Sequence, residues 1–143
     1  MTEVVLDASV ATKWAVPGMI EPLAEQADDL LRQYTEGQIN LLVPDLFWSE
    51  IANALWKAAR RGRISSETAD EALAKMISRD FPTIPSRDVL QRALTIAVQF
   101  DRSVYDSVYV AIAVARKTYL VTADERLANA LAARLPVKFL GAF

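Results

Sequence analysis

Short β-branched runs alternate with longer stretches of helical spacing along this chain. Val4-Val5-Leu6 reads as a first strand, followed by a short helix from Ser9 to Ala15 that Pro17-Gly18 ends. Between Pro22 and Tyr34, Leu23, Ala27, Leu30 and Leu31 recur at helical spacing, and Gly37 stops that helix. Leu41-Leu42-Val43 is a second strand. Pro44-Asp45 then opens a helix to about Arg61, with Gly62 past its end. Ser65 or Ser66 caps another helix to about Arg79, and Phe81 to Ile84 reads as a short strand despite Pro82. Asp88 to Phe100 and Tyr105 to Lys117 are helices, Tyr119-Leu120-Val121 a strand, Asp124 to Leu135 a helix, and Val137-Lys138-Phe139 a last strand. Strands alternating with helices predict a mostly parallel sheet covered on both faces, a three-layer α/β/α sandwich. At 143 residues, without repeat or linker, residues 1–143 are expected to form a single domain.

Composition narrows the chemistry. The chain has no His and no Cys, which excludes Ser-His-Asp and Cys-His nucleophiles, Cys/His zinc sites, iron–sulfur clusters and a His base. None of its four Gly forms a phosphate-cradling or dinucleotide loop. A formal net charge of −2 gives no global attraction to a polyanion. The longest uncharged apolar run, Val108 to Ala115, is far short of the roughly 20 residues that span a membrane. Met1-Thr2-Glu3 lacks the positive start of a secretory signal, so a cytoplasmic location is expected. Any catalysis must rest on oxygen and amine side chains, and carboxylates holding a hard metal ion are the obvious candidates.

Four acids can meet at one edge of such a sheet, since ligand sites in open parallel sheets lie at the strands' C-terminal ends. Asp7 follows the first strand, Glu50 lies in the early turns of the helix after the second, Asp106 opens the helix Tyr105 to Lys117, and Asp124 sits three residues after Val121. Each has a plainer alternative. Asp7 can be a helix cap, and Asp106 a first-turn Asp favoured by the helix dipole, although its helix is apolar all round and so buried. Thr122-Ala123-Asp124-Glu125 reads as a capping box with Thr122 as cap and Glu125 reaching back, which leaves Asp124 free. Glu50 shares a polar stripe with Asn53, Lys57, Arg60 and Arg61, opposite Ile51, Ala52, Leu55, Ala58 and Ala59. That stripe is either a solvated face or an acid followed by a basic rail, with Arg60 and Arg61 roughly 15 Å beyond Glu50.

Four segments in order closely resemble the PIN domain, and within it VapC-type toxins of toxin–antitoxin pairs. They are Val4-Val5-Leu6-Asp7-Ala8-Ser9-Val10, Glu50-Ile51-Ala52-Asn53-Ala54-Leu55, Tyr105-Asp106-Ser107-Val108-Tyr109-Val110-Ala111-Ile112-Ala113 and Val121-Thr122-Ala123-Asp124. The resemblance implies a Mg²⁺- or Mn²⁺-dependent ribonuclease whose acidic ligands are Asp7, Glu50, Asp106 and Asp124. Ser9 and Thr122 fall on supporting polar positions, and Asn53 on a frequent structural one. An acidic centre on a near-neutral protein needs local positive charge to hold RNA, for which Lys57, Arg60, Arg61, Arg63 and, more remotely, Lys13 are the candidates. Trp14, Leu46, Phe47, Trp48 and Trp56 are either ordinary core or an apolar groove for a partner. The resemblance implies that such a partner is an antitoxin and that the chain pairs as a homodimer. Two other readings stand beside this one. One is a non-catalytic module that binds RNA or protein. The other is a receiver or phosphatase-like phosphotransfer domain, which Ser9 two residues after Asp7, Glu3 and Lys138 do not fit.

Overall fold

Val4, Val5 and Leu6 are all fully buried, as are Leu41, Leu42 and Val43. Successive strand residues point to opposite faces, so burial of three in a row means that both faces of the sheet are covered there. In the computed structural model, which describes residues 2–18 and 22–142, these runs are the centre of a five-stranded sheet. Its strands are β1 (Thr2–Leu6), β2 (Ile39–Pro44), β3 (Thr83–Ile84), β4 (Leu120–Thr122) and β5 (Val137–Phe139). They lie in the order β3-β2-β1-β4-β5, and every pairing is parallel.

Seven helices flank the sheet among the described residues: α1 (Ala8–Ala15), α2 (Ala24–Thr35), α3 (Leu46–Arg60), α4 (Ser66–Ile77), α5 (Leu90–Phe100), α6 (Val104–Ala115) and α7 (Glu125–Leu131). The expected α/β/α sandwich is the observed one, and the sheet is parallel throughout. α6 is buried from Ser107 to Ala113 against β1, β2 and β4, with α5 packed beside it. α1 and α3 pack together, and each also meets α4. Among the described residues no helix is long and apolar enough to cross a membrane; Met1 lies outside them.

Local chemistry explains where elements differ from their expected bounds. α4 stops at Ile77, two residues earlier than expected, and Asp80 turns the chain with a φ of 50°. α7 is one short stretch ending at Leu131, because Ala132 to Leu135 form turns into β5 rather than a further helical turn. Pro82 is accommodated because β3 is an edge strand of only two residues; Pro82 lends its carbonyl to the Val43 amide and needs no N–H of its own there. The chain runs outward from β1 in both directions, to β2 and β3 on one side and β4 and β5 on the other. The crevice beyond the C-terminal ends of β1 and β4 is therefore the topological switch point of the sheet.

Candidate active site

Asp7 leaves the end of β1 and Asp124 follows β4 by two residues, so the two flank that crevice. Glu50 comes from the first turns of α3, which begins directly after β2, and Asp106 from the first turn of α6. All four line one cavity of about 650 Å³, together with Ser9, Asn53, Lys57 and Tyr105. The four acids are brought together by topology, since no two of them share a helix or strand.

Asp7 is buried, and its hydrogen bonds are not those of a cap. It occupies the N-terminal boundary of α1 in an extended conformation, yet its side chain makes no capping bond. Instead its Oδ2 accepts from Ser9 Oγ at 2.7 Å and from Thr122 Oγ1 at 2.6 Å. The Ser9 hydroxyl oxygen in turn accepts from the Ala123 amide at 3.0 Å, and Thr122 Oγ1 from the Asp124 amide at 3.0 Å. β1 and β4 are thus tied together at the acid as well as along the ladder. The structure places both Ser9 and Thr122 against Asp7.

The capping box is corrected. Asp124, not Thr122, is the cap of α7, its Oδ1 accepting from the amides of Arg126 at 3.0 Å and Leu127 at 3.3 Å. Thr122 is the last residue of β4 and spends its hydroxyl on Asp7, so the cap falls to the acid two residues later. On Asp7 and Asp124 the protein's donors fall on a single carboxylate oxygen, leaving Oδ1 of Asp7 and Oδ2 of Asp124 without a donor among the described residues.

Glu50 repeats this arrangement through a residue that the apolar periodicity hides. Tyr109 is 2% exposed, and its hydroxyl donates to Glu50 Oε1 at 2.7 Å. The helix Val104–Ala115 reads as uniformly apolar, and the signal available in sequence was the phenol itself, which seeks a partner when buried. Tyr105 is a second addition; it stands 71% exposed at the cavity rim.

Crowded carboxylates under partial burial hold their protons more tightly. Desolvation, then Asp106 and Asp124, push Asp7 above its ordinary range against the lowering effect of its two hydroxyl donors. Desolvation, with Asp7 and Asp106, pushes Glu50 up to about 7 although Tyr109 acts in the other direction. Asp106 is raised by desolvation and by Asp124, partly offset by Arg102. Four hard oxygen donors that repel one another suit a divalent cation that keeps several waters. The donor chemistry therefore fits Mg²⁺ or Mn²⁺, while no three acids among the described residues are already gathered round one point.

The remaining expected residues divide. Asn53 and Lys57 line the cavity, whereas Lys13, Arg60, Arg61 and Arg63 lie outside its lining. Arg60 covers the ring of Trp56 at 5.3 Å. The apolar groove is corrected as well. Phe47 is fully buried core, and Trp48 stacks on Phe81 with its indole N–H donating to Thr83 Oγ1 at 3.1 Å. Trp14 donates to the Ala27 carbonyl at 2.8 Å and lines a separate cavity with Met76 and Arg79. Of the five, only Leu46 lines the acidic cavity, and Trp56 is exposed. Neighbouring aromatics on one helix face are claimed by different packing partners, so they do not add up to one groove.

Residues 4–131 match the PIN domain. Ribonuclease VapC3 of Pyrobaculum aerophilum is 33% identical over 129 residues, covering 89% of this chain and 93% of that protein. Among solved structures, PAE2754 from Pyrobaculum aerophilum superposes with a TM-score of 0.70 at 26% identity over 99% of this chain and 85% of that one. A toxin-antitoxin complex from Klebsiella pneumoniae shares the fold, with a TM-score of 0.66 at 14% identity over 96% of this chain and 97% of that one. The match runs from the first buried strand through the helix that Asp124 caps, and the chain belongs to the PIN-domain family.

Proposed function

We propose that this chain, acting as one PIN domain over residues 1–143, is a divalent-metal-dependent endoribonuclease and the toxin of a toxin–antitoxin pair. The observation that carries the proposal is that four carboxylates from four separate segments line one open cavity at the switch point of the sheet. The ribonuclease names of its relatives support the same reading. Asp7, Glu50, Asp106 and Asp124 would hold Mg²⁺ or Mn²⁺. When bound, such an ion lowers the pKa of water and stabilises the charge that builds on the attacked phosphate.

The protein's own residues set the stage for that chemistry. Ser9 and Thr122 fix Asp7 through neutral donors, which keeps its charge available while sparing the site a competing cation. Lys57 and Asn53 stand in the cavity on the same face of α3 as Glu50, placed to meet a phosphate and its sugar. Arg60 and Arg61 continue that face beyond the cavity, where the RNA strand would run. Tyr105 and Leu46 offer apolar surface at the rim, on which an antitoxin segment would seat beside the acids. A homodimer and a cytoplasmic location complete the reading.

Incubating purified protein with total RNA and sequencing the new ends tests the activity and defines the site. Discrete internal ends that vanish with Asp7→Asn support an endoribonuclease. RNA left intact by the unaltered protein at every Mg²⁺ and Mn²⁺ concentration would instead favour a binding module.

A further inference from the structure

The buried residues around Tyr109 in α6, from Val108 to Ala113, are aliphatic, and α6 packs directly on the three central strands. The Tyr109 ring is therefore rooted in the close-packed core. Its hydroxyl reaches out of that core to Glu50 Oε1 at 2.7 Å, across 59 residues of sequence. Glu50, by contrast, is a partly exposed residue on a long side chain. Among the described residues Tyr109 is its one side-chain hydrogen-bond partner, and Oε2 is left without a donor.

We infer that Tyr109 is a positioning residue that orients Glu50 for a divalent cation, so that the metal affinity of the acidic cavity depends on a hydroxyl anchored in the hydrophobic core. The inference rests on the nuclease reading above, whose cation it concerns. Three features support it. A phenol is neutral, so it fixes the carboxylate without supplying a positive charge that would compete with a metal, as Lys or Arg would. By donating, it makes Glu50 the acceptor and favours the ionised form that can bind a cation. Finally, occupation of Oε1 alone repeats the arrangement of Asp7 and Asp124, each held by one oxygen. A carboxylate that must otherwise be gathered from a flexible side chain is held in place before the ion arrives.

The test is Mn²⁺ binding to the full chain, followed by electron paramagnetic resonance at constant pH, with Tyr109→Phe against the unaltered protein. Partners that orient metal ligands typically contribute about 10- to 100-fold in metal affinity, so Tyr109→Phe should bind Mn²⁺ at least about 10-fold more weakly. In a Glu50→Ala background the same change should alter affinity by less than about twofold, since its effect passes through Glu50. A purely structural role would lower thermal stability and leave both affinities alone. A second measurement needs no change at Tyr109: tyrosine labelled with ¹³C at Cζ, its signals assigned through the other three tyrosines. Mg²⁺ should shift the Tyr109 signal in the unaltered protein and leave it unmoved in Glu50→Ala. Equal Mn²⁺ affinity in Tyr109→Phe, an equal loss in the Glu50→Ala background, or a Tyr109 signal indifferent to Mg²⁺ would each overturn the inference. An unaltered protein that binds no Mn²⁺ at all would overturn the metal-dependent reading with it, whereas normal binding that ignores Tyr109 removes this inference alone.

Discussion

A buried carboxylate without a cation beside it must be held by neutral donors, and Asp7 has two on one oxygen. Hydrogen bonds to a charged group contribute about 1.5–3 kcal/mol each, so Thr122→Val should destabilise the Mg²⁺-loaded protein by roughly that amount in a urea titration and reduce cleavage with it. Asp7→Asn should keep the fold and lower RNase activity on the order of 100-fold or more, the loss expected when several kcal/mol of charge stabilisation is withdrawn. The pH dependence follows from the direction of the shifts. Desolvation, with Asp7 and Asp106, pushes Glu50 up to about 7 in the folded chain, against an ordinary value of 4.5. The native state therefore binds more protons than the unfolded one between those values, and metal-free stability should fall as pH rises through that window. Asp7 and Asp106 are raised too and act with the same sign. Melting temperatures in EDTA from pH 4.5 to 7 check this, and saturating Mg²⁺ should flatten the curve. A melting temperature that climbs over that range would show that burial and the neighbouring acids do not raise these carboxyls as described.

At the scale of elements, α3 carries the divided evidence of its own periodicity. Helical angles alone separate its faces: Ile51, Leu55 and Ala58 are buried, while Asn53, Lys57, Arg60 and Arg61 are exposed. What they do not give is which buried neighbour claims each aromatic, and so Phe47 and Trp48 pack on Phe81 rather than line a groove. The helix after β4 teaches a similar lesson. Thr122-Ala123-Asp124-Glu125 satisfies a capping pattern in two registers, and the choice is decided by the demand of Asp7 for the Thr122 hydroxyl, a partner 115 residues distant. Tyr109 is hidden for the same reason, because nothing local marks a partner on another helix. The basic end of α3 yields its own prediction. Arg60→Glu with Arg61→Glu should weaken RNA binding and flatten its salt dependence by about 0.7 in log–log slope for each phosphate that is no longer neutralised. An unchanged slope would make that end an ordinary solvated face.

Over the whole molecule, the alternation of strands and helices is enough to foresee a parallel sheet and hence a common edge for the acids, since in such a sheet all strand C-termini lie together. Strand order is not legible from periodicity, and it is the order β3-β2-β1-β4-β5 that sets Asp7 beside Thr122 and Asp124. The open rim formed by Leu46 and Tyr105 next to these acids gives the partner proposal its test: co-expression with the neighbouring small reading frame should yield one complex on size exclusion with suppressed RNase activity. Separate elution with undiminished cleavage would remove the antitoxin and leave the nuclease standing. The most direct measurement of the central proposal is an RNA cleavage assay on protein stripped with EDTA, then titrated with Mg²⁺ or Mn²⁺ in parallel with Asp7→Asn. The expected result is no cleavage in the stripped protein, saturable recovery as metal returns, and almost none in the variant. Full cleavage by the stripped protein, or by Asp7→Asn, would contradict a mechanism built on these four carboxylates.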